Sequence, residues 1–575
     1  MRRRHSLVIL SVMLLTVALS SAFYEQQIRR ISASTSESSF ALNPDEQQVL
    51  GLVNGSKAHN CDLELEDIAL SHPDFRSAGS IGANETANLI KEKFESFGLE
   101  AWLEPFEFTN WSLLSKPSLV IDEDGNQSTT TDQVAIDSFQ CEHYSWPTPT
   151  DGIFADLVIL PLPSAINHDQ LGMNPIDTAT WNSINTTGKI LLIGREVRMW
   201  PGWRPPFENK LYSQPPAAVI YTWWYDWMSF TPPLYASAGG KPLYECYYWD
   251  LGIPSGFVNY NDGLWIRNAE SAHATVSANV TVRAVIGNGT QYNVVGKIAG
   301  YQDPEQIVII SSHYDTVMDA GFCDNGAGTA GVIELARVIA EAINKSYYQP
   351  RYTLLFVCFT GEELYLTGSA NFVKQHKNDM GNITAVINLD CIGSDNLYVS
   401  ETPGSTLQQT VMNAATDLGI GTSSEPPGGS DHESFMDPSL VNDWVLSYWG
   451  FDLGISDATP VASSTMLIAY PLLYNDLWNM GTPGWIHTAY DNSTTSGWIE
   501  VSDLENHIKV ATLSIMRVSS NVIPEFPSIT VIAFLIVIVL LICALVTRSR
   551  LRTQDPNHLG FSGARVVIAH HAKLV

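Results

Sequence analysis

The second half of the chain has the most regular alternation of hydrophobic and polar segments. Short apolar runs occur at Gln306–Ser312, Tyr352–Phe359 and Ala385–Asp390. Between them, Ala327–Ile343 and Tyr365–His376 carry apolar residues at helical spacing. Continuous apolar runs of this length are typical of strands that are buried on both faces. The alternation therefore predicts an α/β fold with a mostly parallel central sheet and helices on both faces.

The part of the chain before this region has two other patterns. Glu85–Phe97 repeats apolar residues at helical spacing and is followed by the strand-like run Glu100–Phe108. Residues 116–268 instead alternate short β-like runs with loops rich in Pro and Trp. This pattern predicts a small inserted β-rich domain whose aromatic side chains fill its core. An aromatic wall that faces a substrate or a partner is the alternative interpretation.

Both ends of the chain carry patterns that are typical of membrane targeting. Residues 1–22 combine three arginines, an apolar run and small residues, which predicts a signal peptide or an N-terminal anchor. Residues 529–547 are almost wholly apolar and are followed by arginines, which predicts a transmembrane helix. The positive-inside rule then predicts a cell-membrane protein with a single C-terminal pass, a cytoplasmic tail at 548–575 and the catalytic domain outside the cytoplasm.

Composition narrows the possible functions. The 575 residues include 31 Lys and Arg against 60 Asp and Glu, a formal net charge of −29. So acidic a chain does not offer the basic surface that binding to nucleic acid requires. The length allows two or three domains, and a hydrophobic fraction of 45% allows sizeable cores.

Side chains that bind metals follow the ends of the predicted strands. The first strand runs directly into His313, the second is followed by Glu362 and Glu363, and the third ends in Asp390. Asp324 precedes the helix that follows the first strand. Because the carboxyl ends of parallel strands meet at one edge of a sheet, these five side chains are expected to lie close together.

Imidazole nitrogens and carboxylate oxygens are the ligands that zinc takes at a catalytic centre. Two cations a few ångströms apart would need a shared carboxylate to offset their repulsion. Of two adjacent glutamates, one is expected to bind metal and the other to remain free as a general base. Asp315 is expected to accept a hydrogen bond from the second ring nitrogen of His313.

Five segments together resemble the motifs of the co-catalytic zinc aminopeptidase/glutamate-carboxypeptidase-like metallopeptidase family. In chain order they are SSHYDTV, CDNGAGTAGVIELARV, FTGEELYLTGSANFV, INLDCIG and GGSDHESF. The resemblance covers about residues 60–110 and 290–515 and implies a zinc exopeptidase fold. It also implies two zinc ions held by five side chains: His313, Asp324, Glu363, Asp390 and His487.

The same resemblance implies a role for each position. One zinc would be held by His313 and Asp390, the second by Glu363 and a late histidine, with Asp324 bridging the two. Glu362 would be the general base. We therefore predict Glu362 and Asp315 as the catalytic residues, with Asp315 acting behind His313.

The late histidine has three candidates in the sequence. His487 matches the family's His-Thr…Asp context, with Asp491 as possible support. His432 belongs to the SDH segment, which resembles part of a substrate pocket, and His507 lies in a predicted C-terminal helix. Cys323 departs from the family pattern, and its side chain is expected to face away from the metals.

The family often carries a protease-associated domain inserted before its catalytic core, and residues 116–268 resemble one. The chain is predicted to begin with a signal peptide or anchor at 1–22. The catalytic domain is predicted in two parts, 44–115 and 269–520, with the inserted domain at 116–268 between them. A linker at 521–528, the transmembrane helix at 529–547 and the tail at 548–575 are predicted to follow.

The resulting functional prediction is a membrane-anchored, extracytoplasmic di-zinc aminopeptidase that acts on peptide substrates and does not bind nucleic acid. A carboxypeptidase or dipeptidase of the same family, a glutaminyl cyclase-like enzyme and a non-catalytic receptor-like relative are the alternatives. The apparently complete set of ligands argues against the receptor, and the adjacent glutamates argue against the cyclase.

Overall fold

The computed structural model describes most of the chain between residues 42 and 520. Within that range it does not describe 125–131, 160–181, 195–203, 223–251, 274, 395, 401–405, 426–428, 450–451, 462, 470–485 and 488–489. The predicted signal peptide or anchor at 1–22, the linker at 521–528 and the tail at 548–575 lie outside the described residues.

The described strands form two sheets. In chain order they are β1 (Glu100–Leu113), β2 (Ser118–Asp122), β3 (Gln133–Ala135), β4 (Gln140–Cys141), β5 (Ile153–Ile159), β6 (Ile190–Gly194), β7 (Ala218–Thr222), β8 (Ser255–Phe257), β9 (Ser277–Thr281), β10 (Ala284–Ile298), β11 (Asp303–His313), β12 (Tyr352–Phe359), β13 (Ile383–Asp390), β14 (Leu397–Ser400), β15 (Thr422–Glu425) and β16 (Ser464–Ile468).

Helices separate and cover these strands. In chain order they are α1 (Pro44–Leu50), α2 (Gly55–Ser71), α3 (Ile81–Ser96), α4 (Arg204–Ser213), α5 (Tyr260–Ala272), α6 (Gly328–Asn344), α7 (Thr367–Gln375), α8 (Leu407–Asp417), α9 (His432–Met436), α10 (Pro438–Trp449) and α11 (Val501–Ser520). Two short segments, Phe322–Ala327 and Met380–Asn382, form π and 3₁₀ turns.

The first sheet has the order β1-β10-β12-β11-β13-β16-β14-β15. Its four central strands, β12, β11, β13 and β16, pair in parallel, whereas β1, β10 and β14 join the sheet by antiparallel pairing. The predicted mostly parallel sheet is therefore found at the centre, and its flanks are mixed. Every residue of β12 is buried, so both faces of the sheet are covered there.

Helix α6 packs very closely on the strand that ends in Asp390. A Cβ added to Gly328, at the first turn of α6, would lie 2.5 Å from the carbonyl oxygen of Leu389 in β13. Only glycine tolerates this approach of helix to strand. The close contact brings the chain just before α6 to the edge of the sheet where β13 ends.

The second sheet is formed by residues between β1 and β10 and has the order β3-β2-β9-β5-β6-β7-β8-β4. The last residue of β1, Leu113, pairs with the first residue of β10, Ala284. The intervening chain thus leaves and re-enters the first sheet at one point, as an inserted unit does. Strand β9 ends at Thr281, beyond the predicted boundary of 268; the predicted domain boundaries themselves stay a prediction.

The predicted fold class requires one correction. Among the helices of the described residues, none is long and apolar enough to cross a membrane. The predicted C-terminal transmembrane helix is therefore unsupported, and 529–547 itself lies outside the described residues. The prediction rested on the hydropathy of a run near the short end of the range that spans a bilayer. The predicted membrane localisation depended on that helix and is corrected with it.

Candidate metal centre

Three parallel strands end at the edge of the first sheet where the predicted site residues occur. His313 is the last residue of β11 and pairs in register with Phe359, the last residue of β12. On the other side of β11, Ser311 pairs with Asn388, so β13 reaches its final residue, Asp390, at the same edge. The turn after β12 carries the adjacent glutamates.

A carboxylate lies between two imidazoles at the centre of this edge. Asp324 Oδ1 is 3.2 Å from His313 Nε2, and Asp324 Oδ2 is 3.0 Å from His487 Nε2. The two histidines are 174 residues apart in the numbering, so only the tertiary fold brings them to one carboxylate. Each imidazole therefore faces one oxygen of the same side chain.

Each imidazole also faces a further carboxylate. His313 Nε2 is 3.5 Å from Asp390 Oδ1 and 4.0 Å from Glu362 Oε2. His487 Nε2 is 3.3 Å from Glu363 Oε1. The site is thus two neighbouring clusters of one histidine and its carboxylates.

A second layer of hydrogen bonds holds these side chains in place. His313 Nδ1 is 3.2 Å from the main-chain oxygen of Asp315 and 3.6 Å from its carboxylate. The Asp315 carboxylate also accepts the main-chain N–H of Glu362 at 3.2 Å. Asp315 therefore connects the end of β11 with the turn after β12.

Asp491 supports the chain on both sides of the bridging position. Its carboxylate accepts the main-chain N–H groups of Cys323 at 2.7 Å and of Asp324 at 3.0 Å. It also accepts the indole N–H of Trp498 at 2.7 Å. Asp491 is fully buried, and its burial raises the pKa of the carboxyl to about 7.

The charges around the two histidines shift their titration. Burial alone would lower the pKa of His313, but the neighbouring carboxylates, Glu362 first among them, raise it well above its ordinary value. The pKa of His487 is likewise raised against the effect of burial, chiefly by Glu363. Burial would raise the pKa of Asp324, but hydrogen bonds from both histidines hold it well below its ordinary value.

Crowding and burial act in the opposite direction on the other acids. Burial, with further carboxylates nearby, raises the pKa of Glu362 well above its ordinary value. The same causes raise the pKa of Glu363 to about 7 and that of Asp431 to about 7. These crowded acids are hard to ionise together. A bound cation would favour their ionised forms and lower their pKa values.

The donor atoms suit a divalent cation. Ligand atoms of His313, Asp324 and Glu363 lie within 4.8 Å of one another, as do those of His313, Glu362 and Asp390. Oε1 of Glu363 and Oδ1 of Asp390 are buried and face the imidazole nitrogens of His487 and His313 at 3.3 and 3.5 Å. Because a buried carboxylate oxygen is costly unless a donor or a cation compensates it, these atoms fit a metal site.

The two competing histidines occupy other positions. His432 begins the short helix α9 and is fully buried, and burial lowers its pKa to about 4. His507 lies in α11, where its Nδ1 accepts the main-chain N–H of Gly393 at 3.1 Å. Of the three candidates, His487 is the one whose ring nitrogen the structure brings to Asp324 and Glu363.

Sequence reasoning missed two residues beside this site. Asp431 interacts electrostatically with His313, Asp315 and Asp390, whereas the SDH segment suggested only its histidine. The sulfur of Cys391 lies within 4.8 Å of ligand atoms of Asp324 and Asp390. Its position directly after a strand-terminal aspartate was the available signal.

Known proteins with similar sequences are peptidases. The Glutamate carboxypeptidase 2 homolog of Caenorhabditis elegans is 28% identical over 213 residues, 32% of this chain and 27% of that protein. Leupeptin-inactivating enzyme 1 of Streptomyces exfoliatus is 34% identical over 156 residues, 26% and 34% of the two chains. The Aminopeptidase of Pseudomonas aeruginosa (strain UCBPP-PA14) is 25% identical over 336 residues, 58% and 56% of the two chains. This chain thus spans less than two thirds of each relative's length.

Solved structures share the fold. The zinc aminopeptidase BSAP from Bacillus subtilis superposes with a TM-score of 0.54 at 20% identity, covering 80% of this chain and 94% of that one. The Peptidase M28 precursor from Shewanella amazonensis SB2B superposes with a TM-score of 0.54 at 16% identity, covering 84% and 98%.

Residues 293–505 match the model of Peptidase family M28. This range contains all seven side chains of the predicted site, from His313 to His487, and the strands that carry them. Over this segment, the chain is similar to the peptidases of family M28.

Proposed function

We propose that this protein is a zinc-dependent aminopeptidase that uses two zinc ions to remove N-terminal residues from peptides. The observation that carries the proposal is the Asp324 carboxylate, whose two oxygens face two different histidines at 3.2 and 3.0 Å. Two neighbouring cations require a shared carboxylate, with each of its oxygens next to the other ligands of one cation.

In this proposal each ion has its own ligands and shares one. His313 and Asp390 hold the first ion, Glu363 and His487 hold the second, and Asp324 is shared. When bound, zinc polarises a carbonyl oxygen and lowers the pKa of water. The buried oxygens of Glu363 and Asp390 would gain a cation as partner.

Glu362 is the proposed general base. Its carboxylate is part of the His313 cluster, 4.0 Å from Nε2, and its main chain is held by the Asp315 carboxylate. Glu362 accepts a proton from the attacking water and then delivers it to the amine of the departing peptide. Asp315 is a positioning residue, because it contacts both His313 and the backbone of Glu362.

The charge of the site favours a substrate's amino end over its carboxyl end. Glu362 and Asp431 act electrostatically on His313 and are not among the proposed ligands, so the site has two carboxylates beyond those that would bind the ions. Such a site attracts a protonated amine and repels a terminal carboxylate. Relatives named as aminopeptidases are consistent with this preference.

The second sheet is proposed to be an inserted protease-associated-like domain. The support is that β1 and β10 pair at Leu113 and Ala284, the points where the intervening chain leaves and returns. Parallel pairing of β5, β6, β7 and β8 gives it a sheet of its own.

The test of the catalytic proposal is the conversion of Glu362 to Gln. Gln keeps the size of the side chain but cannot accept the proton, so we expect kcat on aminoacyl-nitroanilides to fall by about 10²–10⁴-fold. Zinc content, measured by elemental analysis, is expected to stay near that of the unchanged protein.

The matched control is Glu341→Gln, an acid of α6 that pairs with Lys345 on the surface. It should leave kcat unchanged. Near-normal activity in Glu362→Gln would refute the assignment of the base. Cleavage of N-acetylated peptides as fast as of free ones would refute the preference for an amino end.

A further inference from the structure

Two cysteines flank two of the carboxylates of the metal centre. Cys323 directly precedes Asp324, and Cys391 directly follows Asp390. Cys323 is fully buried and Cys391 is 4% exposed. Their side chains are hydrogen-bond partners of each other. The two thiols therefore form a sulfur pair beside the acids.

The sulfur of Cys391 lies within ligand distance of that centre. Its Sγ and the nearest oxygens of Asp324 and Asp390 all lie within 4.8 Å of one another. Zinc bonds sulfur at about 2.3 Å and oxygen at about 2.0–2.2 Å, so two such donors on one ion lie at most about 4.5 Å apart. The three atoms are thus close enough for a small side-chain movement to bring them onto a single cation.

The backbone at Cys391 is held in an uncommon conformation that keeps the thiol there. Its φ is 50°, in the left-handed region that non-glycine residues seldom adopt. Its N–H donates to Asn325 Oδ1 at 3.2 Å, and its carbonyl accepts the N–H of Ala469 at 3.0 Å. Residues held in this region cluster at functional sites, where surrounding contacts determine them.

We propose that Cys391 Sγ is a further ligand of the cation on His313 and Asp390, with the Cys323 thiol hydrogen-bonded behind it. The proposal rests on the metal centre proposed above. Binding would exchange the thiol proton of Cys391 for a sulfur–metal bond and release that proton to solvent. The Cys323 S–H could then donate to the bound sulfur, as second-layer groups do at metal sites.

A sulfur ligand would give the site a specific metal preference. Thiolates favour soft or borderline cations such as zinc and cadmium, whereas carboxylates and water suit manganese and magnesium. A site of histidine and carboxylates alone would discriminate less between these groups. The protein is therefore expected to prefer cadmium and zinc over manganese more strongly than its oxygen and nitrogen ligands would allow.

X-ray absorption at the zinc edge of the full-length, zinc-loaded protein tests the proposal directly. A sulfur scatterer at about 2.3 Å is expected in the unchanged protein. It should disappear in Cys391→Ser and persist in the matched control Cys141→Ser, whose buried thiol lies in β4 of the second sheet. In competition titrations, Cys391→Ser should lose about tenfold or more of its preference for cadmium over manganese.

Each outcome separates the two proposals. Zinc bound through nitrogen and oxygen alone would overturn the sulfur ligand and leave the metal centre in place. Zinc binding that is unaffected by Asp390→Ala, or no zinc binding at all, would overturn the metal centre and the sulfur ligand with it. The X-ray absorption spectrum of the unchanged protein already shows whether sulfur binds the zinc. The test therefore does not depend on the folding of a variant.

Discussion

At the scale of single residues, the site depends on groups that hold the ligands as much as on the ligands. Asp491 accepts three hydrogen bonds, two of them from the backbone around Asp324. All three donors are N–H groups, and a carboxylate offers them only acceptor atoms. The bridging position is therefore anchored by a side chain that need not contact the metal itself.

Asp491→Asn replaces one of those acceptor oxygens with an amide that donates. Oδ1 accepts from Cys323 and Trp498, so the better orientation keeps an oxygen there and removes the acceptor of the Asp324 N–H. Asp324 would then no longer be held between the two histidines. We expect zinc affinity to fall by about 10–100-fold, as for other second-layer substitutions. Competition titration with a chromophoric chelator measures the change.

The control for this prediction is Asp437→Asn, whose side chain accepts the N–H of Leu440 at the start of α10, away from the ligands. An unchanged zinc affinity in Asp491→Asn, with the control also unchanged, would show that the Asp491 hydrogen bonds are not needed to hold the bridge.

At the scale of elements, the chain between His313 and Asp324 is tied to α2 by a buried arginine. Arg76 is fully buried, and its guanidinium donates to the carbonyl oxygens of Leu65, Tyr314, Ala320 and Gly321 at 2.9–3.1 Å. Burial lowers its pKa, and nearby acids oppose that effect, Asp62 first among them. Arg76 thus offsets the charge of buried acids and holds in place the loop that leads to Asp324.

Arg76→Met keeps an apolar stem but removes the charge and every donor. It removes four hydrogen bonds to carbonyl oxygens and the positive charge that offsets the buried carboxylate of Asp62. We expect the free energy of unfolding to fall by about 3–5 kcal/mol, which urea denaturation measures. Zinc affinity should fall as well, because the loop that carries Asp324 loses its anchor.

The comparison variant is Arg351→Met, whose ion pair with Asp303 is at the surface and should matter little to stability. Equal small effects in both variants would contradict the anchoring role of Arg76.

At the scale of the whole molecule, the two sheets share one hydrophobic core. Trp111 of β1 is fully buried and packs against His143, with ring centroids 5.3 Å apart, and against Tyr144. Residues of both sheets, among them Ile121 and Val295, belong to the same buried cluster. Protonation of a group at this junction should therefore affect the stability of the described fold as a unit.

His143 gives such a dependence on pH. Burial lowers its pKa from 6.5 to about 3 in the folded protein. The unfolded chain therefore binds a proton below pH 6.5 that the folded protein does not, and the free energy of unfolding falls as the pH falls from 6.5 towards 3. Between pH 7 and pH 5, this one group should cost about 2 kcal/mol.

Urea denaturation at both pH values measures the effect. His143→Gln should be less stable at pH 7 but lose about 2 kcal/mol less than the unchanged protein on acidification. His273→Gln, a substitution at the surface, serves as the control. An identical loss in all three proteins would refute the assignment to His143.

Much of the candidate site could be predicted because its signals are local. The apolar runs Gln306–Ser312 and Ala385–Asp390 are visible from hydrophobicity alone. Observed β11 and β13 contain them, begin two or three residues earlier and end at His313 and Asp390. Parallel pairing then brings their ends to one edge without any knowledge of side-chain packing. The roles of these residues stay predictions.

Other features had no signal in the hydrophobic pattern. His487 lies in a loop without hydrophobic periodicity, and β9 joins the second sheet from beyond the predicted boundary. The same hydropathy that identified the strands also predicted a transmembrane helix that the described helices do not support. An apolar run indicates only that a segment is shielded from water. It does not indicate what covers the segment.

By itself, the sequence determined the order of elements, the residues at the strand ends and the acidic character of the chain, because each follows from local composition and period. The tertiary structure decided which histidine faces Asp324, that Asp491 and Arg76 hold the loop around it, and that Cys391 lies beside the acids. These are contacts between segments that are distant along the chain. Their distances depend on how the sheets and helices pack, and no local pattern encodes that packing.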